Sequence, residues 1–435
     1  MSRLCATLTE KDTDGMLEAM PALPDYVDMA ELRVDYMAEP DVAALCRGKG
    51  RPVIVTNRPT REGGEWTGSE ERRLELLIEA ARSGAEFIDV ELDSRDALGE
   101  VPGECQLIVS HHDFEKTPDD LEGLYQRIVA AGADVAKIAV RAQDIMDTVP
   151  VFQLMERHRD ETPLIALSMG EEGLPTRVLA PKFGGFLSFA AAEEGLEAAE
   201  GQVSCDDMEE LYGFSRIDED TLVYGVAADP VGHSMSPAVH NAAFRALDIN
   251  AVYLPLKVAE PGPFLDAYED FDLRGLSVTI PHKERMMELM DEVDDLAGRL
   301  GALNTVCIRE GRRYGYNTDM AAAIEAIEHA VQEADLEPLS ERTVMIVGAG
   351  GAARAIAYGL SEKVGRLIIA NRTVSRAEKL AAELGVTSTG LDGMADFRPD
   401  VIVNATSVGM HPNVEDTPVP SEMLHADMVV FDSVY

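Results

Sequence analysis

Positive charge is scarce in this chain of 435 residues. Lysine and arginine number 38 against 79 aspartates and glutamates, a formal charge of −41, and only nine of the 38 are lysines. So acidic a surface repels phosphate backbones and anionic bilayers, which argues for no nucleic acid and no membrane as partners and for small molecules instead. It suits a salty cytoplasm or simply a well-solvated acidic surface. Cysteine is also sparse. Cys5, Cys46, Cys105, Cys205 and Cys307 are odd in number, widely scattered and free of any CxxC spacing, which excludes a disulfide framework and a structural zinc and leaves no metal expected. No run of 18 apolar residues occurs, and the N-terminus lacks the apolar core of a signal peptide, so a cytoplasmic protein is expected.

What is present is ample apolar material, 46% of the chain, spread over a length that exceeds one ordinary core. Over residues 1–210 short apolar runs alternate with amphipathic ones. Eight runs read as strands: LCATLT (4–9), VDMAELRVD (27–35), PVIVTNR (52–58), FIDVEL (87–92), QLIVSHHD (106–113), VAKIAVR (135–141), PLIALSMG (163–170) and GGFLSFA (184–190). With helical periodicity between them, the pattern predicts an α/β fold, a (β/α)8 or TIM barrel. The acidic stretch CDDMEELYGFSRIDEDT (205–221) marks the boundary to a second α/β segment over 221–325. A third, over 340–435, contains TVMIVGAGGAARAIAYGL (343–360), which reads as strand, glycine turn and helix.

In such a barrel the site lies at the C-terminal ends of the strands. The polar residues of the first segment gather there: Glu31 and Arg33 on the second strand, Arg58 on the third, His111 and His112 on the fifth, and Arg177 just after the seventh. Lys137 lies within the sixth strand, in ADVAKIAV (133–140). A lysine there either snorkels to water at a sheet edge or serves as a desolvated amine nucleophile. Grouped with a histidine and two arginines it suits imine chemistry. Lys137 would attack a ketone, His112 would remove the adjacent proton, and an arginine would hold a carboxylate. Those residues alone fit a lyase or an aldolase equally well.

Four motifs narrow this. ELRVD (31–35), TNRPTREGGEW (56–66), SHHDFEKTP (110–118) and ADVAKIAV (133–140) resemble, in order and spacing, those of type I 3-dehydroquinate dehydratases. The resemblance implies that Lys137 forms the Schiff base, that His112 is general base and acid, and that Glu62 orients it. It implies that Glu31, Arg33 and Arg58 serve the ring hydroxyls and the polar network, that Arg177 binds the carboxylate, and that Gln202 sits on a lid. His111 is expected to be a bystander. The lid reads EAAEGQVS, with Ala198 at the family's serine position, so one substrate contact is expected to be missing.

In the second segment, VGHSMSPAVHN (231–241) places Ser234 and Ser236 after a strand, either as an ordinary helix cap or as ring-binding hydroxyls. Thr279, Lys283, Asn304 and Asp319 add a hydroxyl, an amide and a Lys/Asp pair, with Lys283 suited to protonating a carbonyl oxygen as hydride arrives. In the third segment Gly348, Ala349, Gly350, Gly351 and Ala352 lie between strand and helix, the context of a dinucleotide site in a Rossmann-type domain. Asn371, Arg372 and Thr373 end the next strand, where an NAD site carries an acid; Arg372 favours NADP through its 2′-phosphate.

With VNATSVGM (403–410), this half resembles shikimate dehydrogenases. The resemblance makes Ser234, Ser236, Thr279, Asn304 and Asp319 substrate contacts and Lys283 with Asp319 the catalytic pair. Met320, Ala321 and Ala322 stand where the family has glycines. The sequence stops at Tyr435, short of the family's last helices, from which weak or absent dehydrogenase activity is expected. The two resemblances together imply a bifunctional enzyme converting 3-dehydroquinate to 3-dehydroshikimate and then to shikimate. The alternatives are a quinate-type dehydrogenase or a non-catalytic ligand-binding domain in the second half. The sequence admits a homodimer without requiring one.

Overall fold

The computed structural model describes residues 2–434 except 233, 335, 411 and 412; the expectation tied to Tyr435 lies outside these residues. The chain divides into two compact units, residues 1–282 and 283–435.

The first unit begins with eight parallel strands: β1 (Arg3–Leu8), β2 (Met29–Arg33), β3 (Val53–Thr56), β4 (Phe87–Glu91), β5 (Gln106–Asp113), β6 (Val135–Arg141), β7 (Leu164–Met169) and β8 (Leu187–Ala191). Each pairs with its sequence neighbour from β1 to β7, and β8 returns to pair with β1. Between β7 and β8 there is no ladder, although Phe186 N–H donates to Leu164 O at 2.8 Å near the start of both. The barrel is therefore nearly closed.

Because side chains alternate along a strand, each strand sends every second residue inward. The deep inward positions are apolar and form one core of Cys5, Met29, Ile54, Phe87, Ile108, Val135, Ile165 and Leu187. Two residues further on, the same faces become polar on six strands, at Thr7, Glu31, Thr56, Asp89, Ser110 and Lys137, all buried. A single period of two thus sets both the barrel core and the floor of its mouth.

The 205–221 stretch is packed rather than open: Cys205, Met208, Tyr212, Phe214 and Ile217 are buried. It leads to β9 (Leu222–Ala228), which pairs in parallel with β10 (Ala251–Lys257) and β11 (Leu273–Val278). This sheet belongs to the same compact unit as the barrel. Phe152 and Phe183 of the barrel meet Phe271 edge to face at 5.1 and 5.2 Å between ring centroids, Thr148 Oγ1 lies 2.6 Å from Tyr268 Oη, and Lys182 Nζ donates to Asp272 at 2.8 Å.

The second unit holds β12 (Glu292–Val293), β13 (Thr305–Arg309) and β14 (Arg312–Tyr316), then a helix over Asp319–Glu333. A parallel sheet follows: β15 (Thr343–Val347), β16 (Arg366–Ala370), β17 (Thr387–Thr389), β18 (Val401–Asn404) and β19 (Val429–Asp432), in the order β17-β16-β15-β18-β19. Helices Gly351–Leu360 and Val374–Leu384 cross between its strands, so the order reverses beside β15, where open α/β sheets bind ligands. Met320 packs against Gly359 of the first of these helices, where an added Cβ would come within 2.1 Å of Ile324 and 2.7 Å of Met320. The large residue at 320 thus sits opposite a glycine. Among the described residues, no helix is long and apolar enough to cross a membrane.

Candidate active sites

The barrel mouth holds a cavity lined by Glu31, Arg33, Arg58, Glu62, His112, Lys137, Arg177 and Gln202, so the eight barrel residues given a role by the resemblance share one space. Lys137, 5% exposed, lies with its Nζ 4.3 Å over the Phe189 ring. It does not snorkel, nor is it a bare desolvated amine: Asp89 Oδ2 accepts from it at 2.8 Å and Glu31 Oε1 lies 3.7 Å away. Asp89 also faces Arg58 Nη2 at 2.8 Å and accepts from Ser110 Oγ at 2.6 Å. Burial opposes its charge, but Arg58 and Lys137 prevail and hold its carboxyl far below the usual range. Arg58 in turn donates to Glu91 at 2.6 Å, and the other Glu91 oxygen is in ion contact with Arg73 Nη1 at 2.7 Å. Burial works against the Arg58 guanidinium, yet Asp89 and Glu91 raise its pKa overall.

His112 Nδ1 lies 2.8 Å from Glu62 Oε2. Burial, followed by the Arg58 and Lys137 cations, pushes the imidazole well below its ordinary value, so it is neutral as a base must be. Burial also raises the Glu62 carboxyl to about 7. His111, on the opposite face of β5, does not line the cavity. Arg33 forms a two-point pair with Asp35 at 2.9 and 2.8 Å, and Asp35 also accepts from Glu65 N–H at 3.0 Å, tying the second strand to the loop that carries Glu62. Gln202 Nε2 donates to Thr7 Oγ1 at 3.2 Å, and Thr7 donates to Glu31 at 3.1 Å. Ala198, in the cavity lining, offers no hydroxyl.

Arg177 stands apart. It is 1% exposed, lines the cavity, and its Nε and Nη2 have no hydrogen-bond partner among the described residues. Burial lowers its pKa to about 10. A buried, unpaired guanidinium is costly, and its open donors suit a carboxylate brought by a ligand.

The remaining candidates divide between the units. In the first, helix Ser236–Ala246 is capped at Met235 without a side-chain bond, so neither serine is its N-cap; Ser234 Oγ instead accepts from Ser236 N–H at 3.3 Å. Thr279 follows β11 and is partly exposed. The buried Tyr253 hydroxyl lies toward Ser236 and Ser277 without hydrogen-bond alignment. In the second unit, Lys283 Nζ donates to Asp319 Oδ2 at 2.6 Å, and Asn304 Nδ2 donates to Asp319 Oδ1 at 2.7 Å. One carboxylate thus orients both an amine and an amide.

After β15, Gly348 has φ +127°, and a Cβ there would lie 2.6 Å from Ala405 O, so only glycine fits. Gly350 caps helix Gly351–Leu360, and nothing lies within 4 Å of a Cβ added at Gly350 or Gly351. The loop is open where helix N–H groups emerge, a fit for a pyrophosphate. Ala349 belongs to this turn, and Ala352 lies in the first turn of the helix. Asn371 Nδ2 donates to Thr373 O at 2.9 Å, shaping the turn after β16, and Arg372 between them is exposed. No group of three or more metal-ligating side chains occurs among the described residues.

Asp89, Glu91, Ser110, Thr7, Thr56 and Asp35 were not singled out from the sequence. FIDVEL carries the signal for the first two: acids at alternate positions of an otherwise apolar strand must share one face.

These features define a lyase-type barrel followed by a two-part reductase. Three family models cover the chain in the same sense: type I 3-dehydroquinase over residues 4–219, the shikimate dehydrogenase substrate-binding domain over 226–306, and shikimate/quinate 5-dehydrogenase over 329–432. A chloroplastic bifunctional 3-dehydroquinate dehydratase/shikimate dehydrogenase of Arabidopsis thaliana is 40% identical across all of this chain and 76% of its own length. An NADP(+) shikimate dehydrogenase of Thermococcus kodakarensis is 42% identical over 50% of this chain and 79% of its own. A solved dehydratase–dehydrogenase structure from S. pombe aligns with 99% of this chain and 88% of its own at 24% identity and a TM-score of 0.43. The chain belongs to the bifunctional 3-dehydroquinate dehydratase/shikimate dehydrogenase family.

Proposed function

We propose that the protein dehydrates 3-dehydroquinate to 3-dehydroshikimate in the barrel and reduces that product to shikimate with NADPH in the second half. It works in the cytoplasm on small anionic ring acids, with domains over 1–210, 221–325 and 340–435. The observation that carries the first step is the convergence of Lys137, His112 and the unpaired Arg177 on one cavity.

Arg177 binds the substrate carboxylate. Lys137, its proton passed to the site's carboxylates or water, attacks the ketone carbon, and loss of water leaves a protonated imine. His112 takes a proton from the adjacent carbon while the imine accepts the electron pair as an enamine. The pair then returns to expel the neighbouring hydroxyl, which leaves as water with the proton His112 donates. Hydrolysis of the imine frees Lys137. Asp89 balances the cation whenever the imine is protonated, and Glu62 holds His112 by its Nδ1.

In the second half Ser234, Ser236, Thr279 and Asn304 hold the ring hydroxyls and carboxylate of 3-dehydroshikimate. NADPH, when bound, would supply the hydride. The segment Gly348 to Ala352 would hold its pyrophosphate, and Asn371, Arg372 and Thr373 its adenosine phosphate. Lys283 delivers a proton to the ketone oxygen, and Asp319 orients Lys283.

The test is borohydride reduction with 3-dehydroquinate present, followed by peptide mass analysis, alongside NADPH oxidation with 3-dehydroshikimate. Label on the Lys137 peptide and loss of both label and turnover in Lys137→Ala are expected. Undiminished turnover in that variant would sink the imine mechanism.

A further inference from the structure

In a chain with nine lysines, one of them is placed where it serves two halves of the molecule. Lys257 ends β10, in the dehydrogenase substrate sheet, yet its Nζ donates to Glu172 Oε1 at 2.8 Å and lies 3.2 Å from Glu171 Oε2. Both acids belong to the barrel loop after β7, which runs from Gly170 into the short helix bearing Arg177.

That loop meets the segment covering the dehydratase cavity. Gly170 N–H donates to Glu200 O at 3.2 Å, and a Cβ on Gly201 would lie 2.3 Å from Gly170 O, so the two backbones touch. Arg141, at the end of β6, clamps the Glu200 carboxylate at two points, one of them Nη2 to Oε1 at 2.8 Å. Two residues on, Gln202 reaches Thr7 inside the cavity. The Arg141 clamp thus fastens the cover.

Arg141 has a second carboxylate in reach. A Cβ on Gly170 would sit 3.1 Å from Glu172 Oε2 and 3.6 Å from Arg141 Nε, so Glu172 and Arg141 flank one backbone position. With Glu172 unpaired, its charge would compete with Glu200 for the guanidinium. We propose that Lys257 is a positioning residue of the dehydratase: by neutralising Glu172 it leaves Arg141 to Glu200 and so holds the Gln202 segment over the substrate ring. The inference rests on the reading of the barrel mouth as the dehydratase site, and it makes that site depend on a residue from the other enzyme's sheet.

The test uses the full chain and steady-state dehydration of 3-dehydroquinate. Lys257→Met should raise KM by up to about fivefold, the range of a partly exposed ion pair, with a smaller change in kcat. Lys257→Arg should keep the wild-type KM. Adding Glu172→Gln to Lys257→Met should bring KM back toward wild type, because the competing charge is gone, whereas a merely structural lysine would leave the double variant at least as impaired as the single. Glu172→Gln alone, which needs no folded Lys257 variant, should leave KM unchanged or lower it. An unchanged KM in Lys257→Met, no recovery in the double variant, or a raised KM in Glu172→Gln would each overturn the proposal. Absence of dehydration by the wild-type protein would instead overturn the reading of the site.

Discussion

Lys137 and Asp89 form a buried ion pair, Nζ to Oδ2 2.8 Å, with the aspartate wholly inaccessible and the lysine side chain 6% exposed. The same carboxylate touches Arg58 and Ser110, so one acid organises a lysine, an arginine and a hydroxyl. Asp89→Asn keeps the shape and removes the charge. Breaking a buried pair on one side costs about 3–5 kcal/mol, so a clear fall in the thermal midpoint is expected. Slower borohydride trapping should accompany it, because the iminium loses its counter-charge. Trapping at the wild-type rate would show that Asp89 serves stability alone.

The Glu62–His112 contact sets a pH dependence. Glu62 titrates near 7, raised by burial, while His112 is held neutral by burial and by the nearby cations. Ionised Glu62 accepts from Nδ1–H and leaves Nε2 free to take a proton; protonated Glu62 donates to Nδ1 and puts the imidazole proton on Nε2. Dehydratase kcat/KM is therefore expected to fall as pH drops through about 7, with the slope of one proton. Glu62→Gln cannot titrate, so its lower activity should lose that inflection. A pH–rate profile of both proteins decides the matter.

Arg177 gives function and stability opposite signs. Its buried Nε and Nη2 have no hydrogen-bond partner among the described residues, and the proposed function gives them a substrate carboxylate. Arg177→Met fills the volume without the stranded charge, so its unliganded thermal midpoint should equal or exceed that of the wild type. Its KM for 3-dehydroquinate should rise by at least about tenfold, since a charge-assisted contact contributes about 1.5–3 kcal/mol. A variant that unfolds earlier and binds normally would reverse the assignment.

The barrel was legible because its strands are short, apolar and regularly spaced, and because side-chain alternation fixes which of two adjacent histidines faces Lys137: Ser110 is in register with Lys137, and His112 is the next residue on that face. The charge network behind the site was not. Asp89 and Glu91 lie in a run read only as a strand, and their value appears once Arg58, Arg73 and Lys137 arrive from other elements. The Lys257–Glu172 contact is further out of reach, since its partners lie 85 positions apart. Pairing at that separation is decided by how the sheet of β9 to β11 packs on the barrel, which no local pattern encodes. Ser234 and Ser236 show the opposite limit: local pattern offered a helix cap, and the backbone placed the cap at Met235.

The proposed function assigns cofactor choice to Arg372. It lies in the turn between β16 and helix Val374–Leu384, exposed, with no ion-pair partner among the described residues. Nearby Arg354 is already engaged by Glu383 at 2.8 Å, whereas Arg372 is open to meet a 2′-phosphate at this strand end. Arg372→Ala should weaken NADP binding about ten- to hundredfold, the loss of one charge-assisted contact, and leave NAD binding nearly unchanged because NAD has no phosphate there. Raising salt should narrow the difference between wild type and variant for NADP, since an exposed charge contact is screened. The measurement is titration of both cofactors against both proteins at two ionic strengths. Equal losses for NAD and NADP would mean that Arg372 shapes the turn instead of reading the phosphate.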